Sequence, residues 1–284
     1  MKPKRDYTNI ILVLIFFIGL SVLLYPAVSD YWNSKVQSRA IVNYEAMLAD
    51  LTPEDYTAVF EQADQYNEKI RKIPYPLMYH DQVPGYEETL NVTGNGIMGY
   101  VTIEKIKVEL PIYHGTSEAV LNVAAGHVQG TSLPVGGVNT HAVLSAHRGL
   151  PSARLFTDLD KLEVGDVFTI TVLDRLLTYQ IDQIKIVKPN EVDALYVTEG
   201  EDFCTLVTCT PYGINTHRLL VRGTRVDTPQ EKNIYIASDA YPIDSLILTP
   251  IVAAPMLLVL LIILLVKHPS KKSDTQERRP DYDA

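Results

Sequence analysis

The sequence predicts a mainly β domain, an all-β barrel or sandwich, carried behind N-terminal helices and bracketed by apolar segments. Three observations carry that prediction. Short β-type runs follow one another after Gly96, a polar stretch without glycine precedes them, and an uncharged apolar run lies near each end of the 284-residue chain.

The first apolar run, IILVLIFFIGLSVLLYPAV (Ile10 to Val28), follows Lys2, Lys4 and Arg5 and has the length of a membrane-spanning helix. The alternative is a cleaved signal peptide, since Ala27 and Ser29 are small, but the apolar core exceeds the usual signal length. The second run, LILTPIVAAPMLLVLLIILLV (Leu246 to Val266), precedes Lys267, Lys271 and Lys272, and Pro250 and Pro255 kink such a span without forbidding it. Basic residues beyond both outer ends predict cytoplasmic termini and an extracytoplasmic middle.

Between the spans, Ser29 to Leu51 and Pro53 to Lys72 read as helices. Thr52 is an N-cap, Pro53 takes the first helical position, and Glu54 with Asp55 supply acids to the first turn. The stretch Ile73 to Asn95, rich in Pro, Tyr and Gly, reads as a long surface loop. The β-type runs are MGYVTIEKI, KVELPIYHG, HAVLSAH, VFTITVLD, LLTYQIDQIKIV, FCTLVTCT and HRLLVRGTRV, with short helices expected at Ser117 to Ala125 and Ser152 to Asp160. The organisation is thus 1–29 cytoplasmic tip and first span, 30–72 helical stalk, 73–95 candidate lid loop, 96–228 β domain, 229–245 linker, 246–266 second span and 267–284 cytoplasmic tail.

Most of the acidic excess behind the net charge of −9 lies in the middle segment, which argues against a nucleic-acid partner. Spacings of His141 and His147, or Cys204 and Cys209, match no zinc pattern, and no phosphate-binding or dinucleotide motif occurs, so neither metal nor cofactor is expected. The two cysteines share one strand. Five residues apart, they are separated by roughly 16 Å and face opposite sides, too far for a disulfide. A free thiol in an extracytoplasmic domain requires a reason.

Cys209 ends its strand before Thr210, Pro211, Tyr212 and Gly213, where a substrate can reach a thiol. His147 ends another strand at a glycine turn beside Arg148, although seven histidines leave the choice open on position alone. Arg218 opens the strand after the Cys209 turn, which places both on neighbouring strands, and Arg222 is its rival.

TLVTCTPYGINTHRLLVRG (Thr205 to Gly223) resembles the sortase signature TLxTC with its downstream arginine, and HAVLSAHRGLPSARLFTDLDKLEVGD (His141 to Asp166) resembles the segment holding the family's histidine. GNGIMGYVTIEKIKVELPIYHGT from Gly94 and GHVQGTSLPVGG from Gly126 extend the likeness over most of 66–226, in the variant of pilus-building, class C sortases. The resemblance implies a β-barrel of about eight strands, Cys209 as nucleophile, His147 as acid/base partner, Arg218 on the oxyanion side, and no cofactor. It also implies an LPXTG-like sorting signal as first substrate, pilin subunits with an acceptor lysine as partners, and a Gram-positive-type cell membrane as location. Class C sortases usually carry a lid with an Asp-Pro-aromatic motif over the site. Pro74 to Glu88 lacks that triplet, and Asp81 and Tyr86 are its nearest chemical equivalents.

An ordinary cysteine, with a pKa of ~8.5, and an ordinary histidine, at ~6.5, are mostly neutral near pH 7, so neighbouring positive charge must favour the thiolate. Three readings follow: a pilin polymerase, a wall-anchoring sortase using a peptidoglycan amine, and a non-catalytic sorting-signal binding module.

Overall fold

The computed structural model describes residues 8–49, 51–228 and 253–263. The chain forms two compact units, one comprising Ser29–Ile236 and the other the terminal segments. Helix α1 (Thr8–Leu48) runs through Pro26 without a break, where separate segments were expected on either side of Ser29. Residues 29–48 contain neither glycine nor proline, so nothing ends the helix before Leu48. From Ile10 the helix is long and apolar enough to cross a membrane. Ala253–Ile263 is a shorter apolar helix, and the rest of the expected second span lies outside the described residues.

The second part of α1 packs on the β domain through one face, with Ile41, Tyr44 and Leu48 buried. Tyr44 donates its hydroxyl to Met98 O at 3.0 Å and accepts from Leu173 N at 2.9 Å. Thr52 caps α2 (Pro53–Arg71) in a reciprocal box with Asp55, satisfying donors that the first helical turn leaves unpaired. Helix α2 buries Phe60, Ala63, Tyr66, Asn67 and Ile70, its inward face.

The segment after α2 departs from the expected surface loop. It forms the short helix α3 (Pro76–Tyr79) and a single turn at His80–Gln82, after which Val83, Tyr86 and Leu90 are buried. Their spacing of three and four residues gives turns one apolar face, a pattern interrupted in the sequence by Pro84 and Gly85.

Eight strands close a barrel in the order β1-β2-β3-β4-β7-β8-β6-β5. They are β1 (Ile97–Ile103), β2 (Val108–His114), β3 (Ala125–His127), β4 (Thr140–Ser145), β5 (Val167–Val172), β6 (Arg175–Val187), β7 (Asp202–Thr210) and β8 (His217–Val226). Pairs β2/β3 and β4/β7 are parallel and the others antiparallel. Closure leaves no free sheet edge, and inward side chains such as Met98, Ile112, Leu144, Ile170, Leu206 and Val221 fill the interior. Between β2 and β3 the helix is only α4 (Glu118–Leu121), capped by Ser117. No α-helix forms at 152–160. That segment is a series of turns ending in a 3-10 turn at Leu159–Lys161, and it is held by side-chain bonds rather than a helical ladder.

Candidate active site

Strand β7 alternates between the barrel interior and its outer face. Cys204 and Leu206 point inward and are fully buried, whereas Cys209 is only partly buried at the strand end. Burial pushes the Cys204 thiol well above the usual cysteine range, so it stays protonated and inert. Both cysteines are free.

Register sets the neighbours of Cys209. On the β8 side its direct cross-strand partner is Arg218. On the other side the parallel ladder pairs Ser145 of β4 with Val207, and two further bonds extend it: Ala146 N donates to Val207 O at 3.1 Å, and Thr208 Oγ1 donates to Ala146 O at 2.8 Å. Continuing that register by one residue pair brings His147 off β4 level with Cys209. Cys209 near the end of β7, Arg218 near the start of β8 and His147 two residues beyond β4 thus lie at one end of the barrel.

The rival residues are occupied elsewhere. Arg222 grips Asp182 at 3.1 and 2.5 Å and lies 4.0 Å from the Phe203 ring centroid. His141 is buried, with Nδ1 3.0 Å from Tyr196 O and Nε2 2.7 Å from Thr205 Oγ1, and burial lowers its pKa. It ties the β6–β7 connection to β7. His127 is fully buried and pushed down to about 4 by desolvation, and both its ring nitrogens are engaged. Arg218 Nη1 donates to Asn215 O at 3.3 Å and His217 O at 3.1 Å, which holds the guanidinium at the β7–β8 turn.

The two candidate lid residues have other partners. Asp81 is 90% exposed, and its carboxylate lies 2.9 Å from His80 Nδ1. Tyr86 is 3% exposed; its hydroxyl sits 2.9 Å from His127 Nδ1 and accepts from Gly115 N at 2.8 Å. The phenol is a core group bridging the β2–β3 side of the barrel, and burial raises its pKa.

Two residues before Cys209, Val207 joins Val143 and Leu220 in a small apolar cluster flanked by Val128, Val187, Ala194 and Leu195, separate from the barrel core. The sequence reading missed this outer patch, although a β-branched residue two places before the cysteine was its available signal. A separate cleft of about 520 Å³, lined by Arg71, Tyr75, Pro76, Asn139, Tyr196 and Glu199, opens near the starts of β4 and β7, the opposite end from Cys209.

Comparison with known proteins follows the same geometry. The family model described as "Sortase domain" matches residues 101–226, which contain every strand from the last part of β1 to β8. Sortase C1 from Streptococcus agalactiae is 46% identical, with a TM-score of 0.62, over 67% of this chain and 99% of that one. The chain belongs to the sortase family. Sortase C from Streptococcus pneumoniae, whose structure is described in terms of catalysis and pilin substrate specificity, is 42% identical over 67% of this chain and 97% of its own, with a TM-score of 0.61. Among curated relatives, Sortase A of Streptococcus agalactiae is 32% identical over 40% of this sortase and 47% of its own length. Sortase D of Bacillus subtilis is 30% identical over 45% and 63%. This sortase therefore spans about half to two thirds of those two relatives, and nearly all of the class C structures.

Proposed function

We propose that this sortase is a pilin-polymerising cysteine transpeptidase that cleaves an LPXTG-like sorting signal between Thr and Gly and joins the acyl group to a pilin lysine. The observation that carries the proposal is the register at the barrel end: Cys209 opposite Arg218, with His147 on the extension of the parallel strand.

In this reading the Cys209 thiolate attacks the threonine carbonyl carbon. The oxygen gains negative charge and is held by the Arg218 guanidinium, a planar donor suited to oxyanions. As the C–N bond to glycine breaks, His147 as imidazolium protonates the leaving amine, and a thioester remains on Cys209. A neutral lysine amine then attacks the thioester and gives its proton to His147. The amide forms and the thiolate is released. Val128, Val187, Ala194 and Leu195, only partly buried around the buried Val143, Val207 and Leu220, offer the apolar part of the signal a surface near the sulfur.

The pilus-building reading is favoured over wall anchoring by the comparisons: class C structures match at 46% identity over 99% of their length, against 32% over 47% for a sortase A. The apolar part of α1 suits a membrane anchor, with both termini cytoplasmic and the barrel outside the membrane. Purified full-length chain in detergent, incubated with pilin subunits, should yield a product whose new amide, located by mass spectrometry, involves a lysine side chain. Linkage persisting in Cys209→Ala, or found only on a peptidoglycan stem amine, would contradict the proposal.

A further inference from the structure

Arg148 directly follows His147, and the reaction scheme does not use it. Its side chain is 8% exposed, and Nη2 lies 2.6 Å from Asp160 Oδ2. Nη1 donates to Thr210 Oγ1 at 3.1 Å, and the guanidinium carbon is 6.0 Å from the Tyr212 ring centroid. Thr210 is the residue after Cys209, and Tyr212 stands in the turn from β7 to β8. One buried cation therefore touches three places: the loop that starts at His147, the end of the Cys209 strand, and the turn leading to Arg218.

The surroundings keep this loop in place. Gly149 has φ +78°, and a Cβ there would lie 2.9 Å from Tyr212 Cε2, so the chain passes flat against that ring. Phe156 N donates to His147 O at 3.1 Å and Gly149 N to Thr157 Oγ1 at 3.1 Å, closing the loop on itself. On its far side Asp30 Oδ1 accepts from Arg154 N at 2.8 Å, and Asn33 Nδ2 donates to Ser152 O at 2.7 Å, so α1 backs the loop.

A guanidinium this buried requires a counter-charge, which Asp160 supplies. Its rigid fork also fixes the directions of both bonds at once, which a lysine ammonium does not do. We propose that Arg148, held by Asp160, is a positioning residue that clamps the strand end bearing Cys209 to the loop bearing His147. The proposal rests on reading Cys209 and His147 as a thiolate–imidazole pair. Loss of the clamp lets the two groups drift, and a displacement of about 1 Å costs on the order of a hundredfold in rate.

The test compares full-length wild type with Arg148→Ala, Arg148→Lys and Asp160→Asn in detergent. It measures sorting-peptide cleavage, thermal unfolding, and the pH dependence of Cys209 alkylation by iodoacetamide, read by peptide mass spectrometry. Arg148→Ala is expected to lower kcat by about 30- to 100-fold with KM within about threefold, and to move half-maximal alkylation to higher pH, because the strand end bearing Cys209 is no longer held to the loop bearing His147. Arg148→Lys should recover part of both effects, and Asp160→Asn should show a smaller version of each. Folded variants with wild-type kcat and an unmoved alkylation profile would overturn the proposal, as would losses that merely track thermal stability. If Arg148→Ala does not fold, Arg148→Lys and Asp160→Asn decide on the same criteria. Alkylation needs no peptide, so a wild type that fails to cleave the sorting signal sinks the substrate reading while the clamp is still judged.

Discussion

Replacing Tyr86 with phenylalanine separates a core role from a lid role. The hydroxyl accepts from Gly115 N at 2.8 Å and sits 2.9 Å from His127 Nδ1. His127 Nε2 lies 2.8 Å from Ser132 O, an acceptor, so Nε2 carries the ring proton, and the phenol's proton is shared between Nδ1 at 2.9 Å and His127 O at 3.1 Å. Tyr86→Phe leaves one buried N–H and one buried ring nitrogen without partners, at about 1–3 kcal/mol each. With partial relaxation the sum is about 2–4 kcal/mol, which for a domain of this size lowers the unfolding midpoint by about 5–12 °C. Circular dichroism of the full chain gives the midpoint, and peptide cleavage well below it should stay within about twofold of wild type. An unchanged midpoint with faster cleavage would refute the reasoning and restore Tyr86 as a lid residue. Deleting residues 74–88 outright cannot make this distinction, because it also removes the buried Val83.

Arg218→Lys should lower kcat/KM by about 10²- to 10³-fold, since the oxyanion loses a planar donor. Arg222→Lys, at a residue spent on Asp182 and Phe203, should lower it far less in the same peptide assay. Cys204→Ala should keep cleavage within about twofold and cost about 1–2 kcal/mol in urea unfolding, and native chain treated with iodoacetamide at pH 8 should carry label on Cys209 but not on Cys204. For His127 the sign follows from its depressed folded pKa. The unfolded state takes up the proton first, so stability falls as pH drops from about 6.5 towards about 4, by on the order of 3 kcal/mol in total. Urea midpoints measured across that window should fall for wild type and flatten for His127→Gln.

The strands were legible as β-rich runs between turns, with period-two alternation clear in β5 but lost in β7, where Phe203 to Thr208 are all buried, and the Thr52–Pro53–Asp55 start of α2 is a local signal that tertiary contacts do not override. β3 was not: Ala125–His127 is three residues long, too short for any period, and exists through its parallel pairing with β2. The expected helix at 152–160 failed because its residues are spent on long-range partners, Asp30, Asn33 and Arg148, which no local propensity reveals. Tyr86 misled in the same way, since a tyrosine beside Pro and Gly reads as exposed until His127, 41 positions away, is brought to it. Cys209 and Arg218 lay within one hairpin, so their proximity followed from the turn between them. The choice between Arg218 and Arg222 needed Asp182, contributed by another strand.

The central claim is that the partly buried sulfur at the end of β7 is the acyl acceptor. Mixing the full-length chain with an LPXTG-like peptide, quenching in acid and mapping the adduct by tandem mass spectrometry tests it directly. The expected adduct is an acyl group ending in threonine, joined as a thioester to Cys209 and abolished by hydroxylamine. Cleaved peptide with no adduct on Cys209, or an adduct on Cys204, would contradict it.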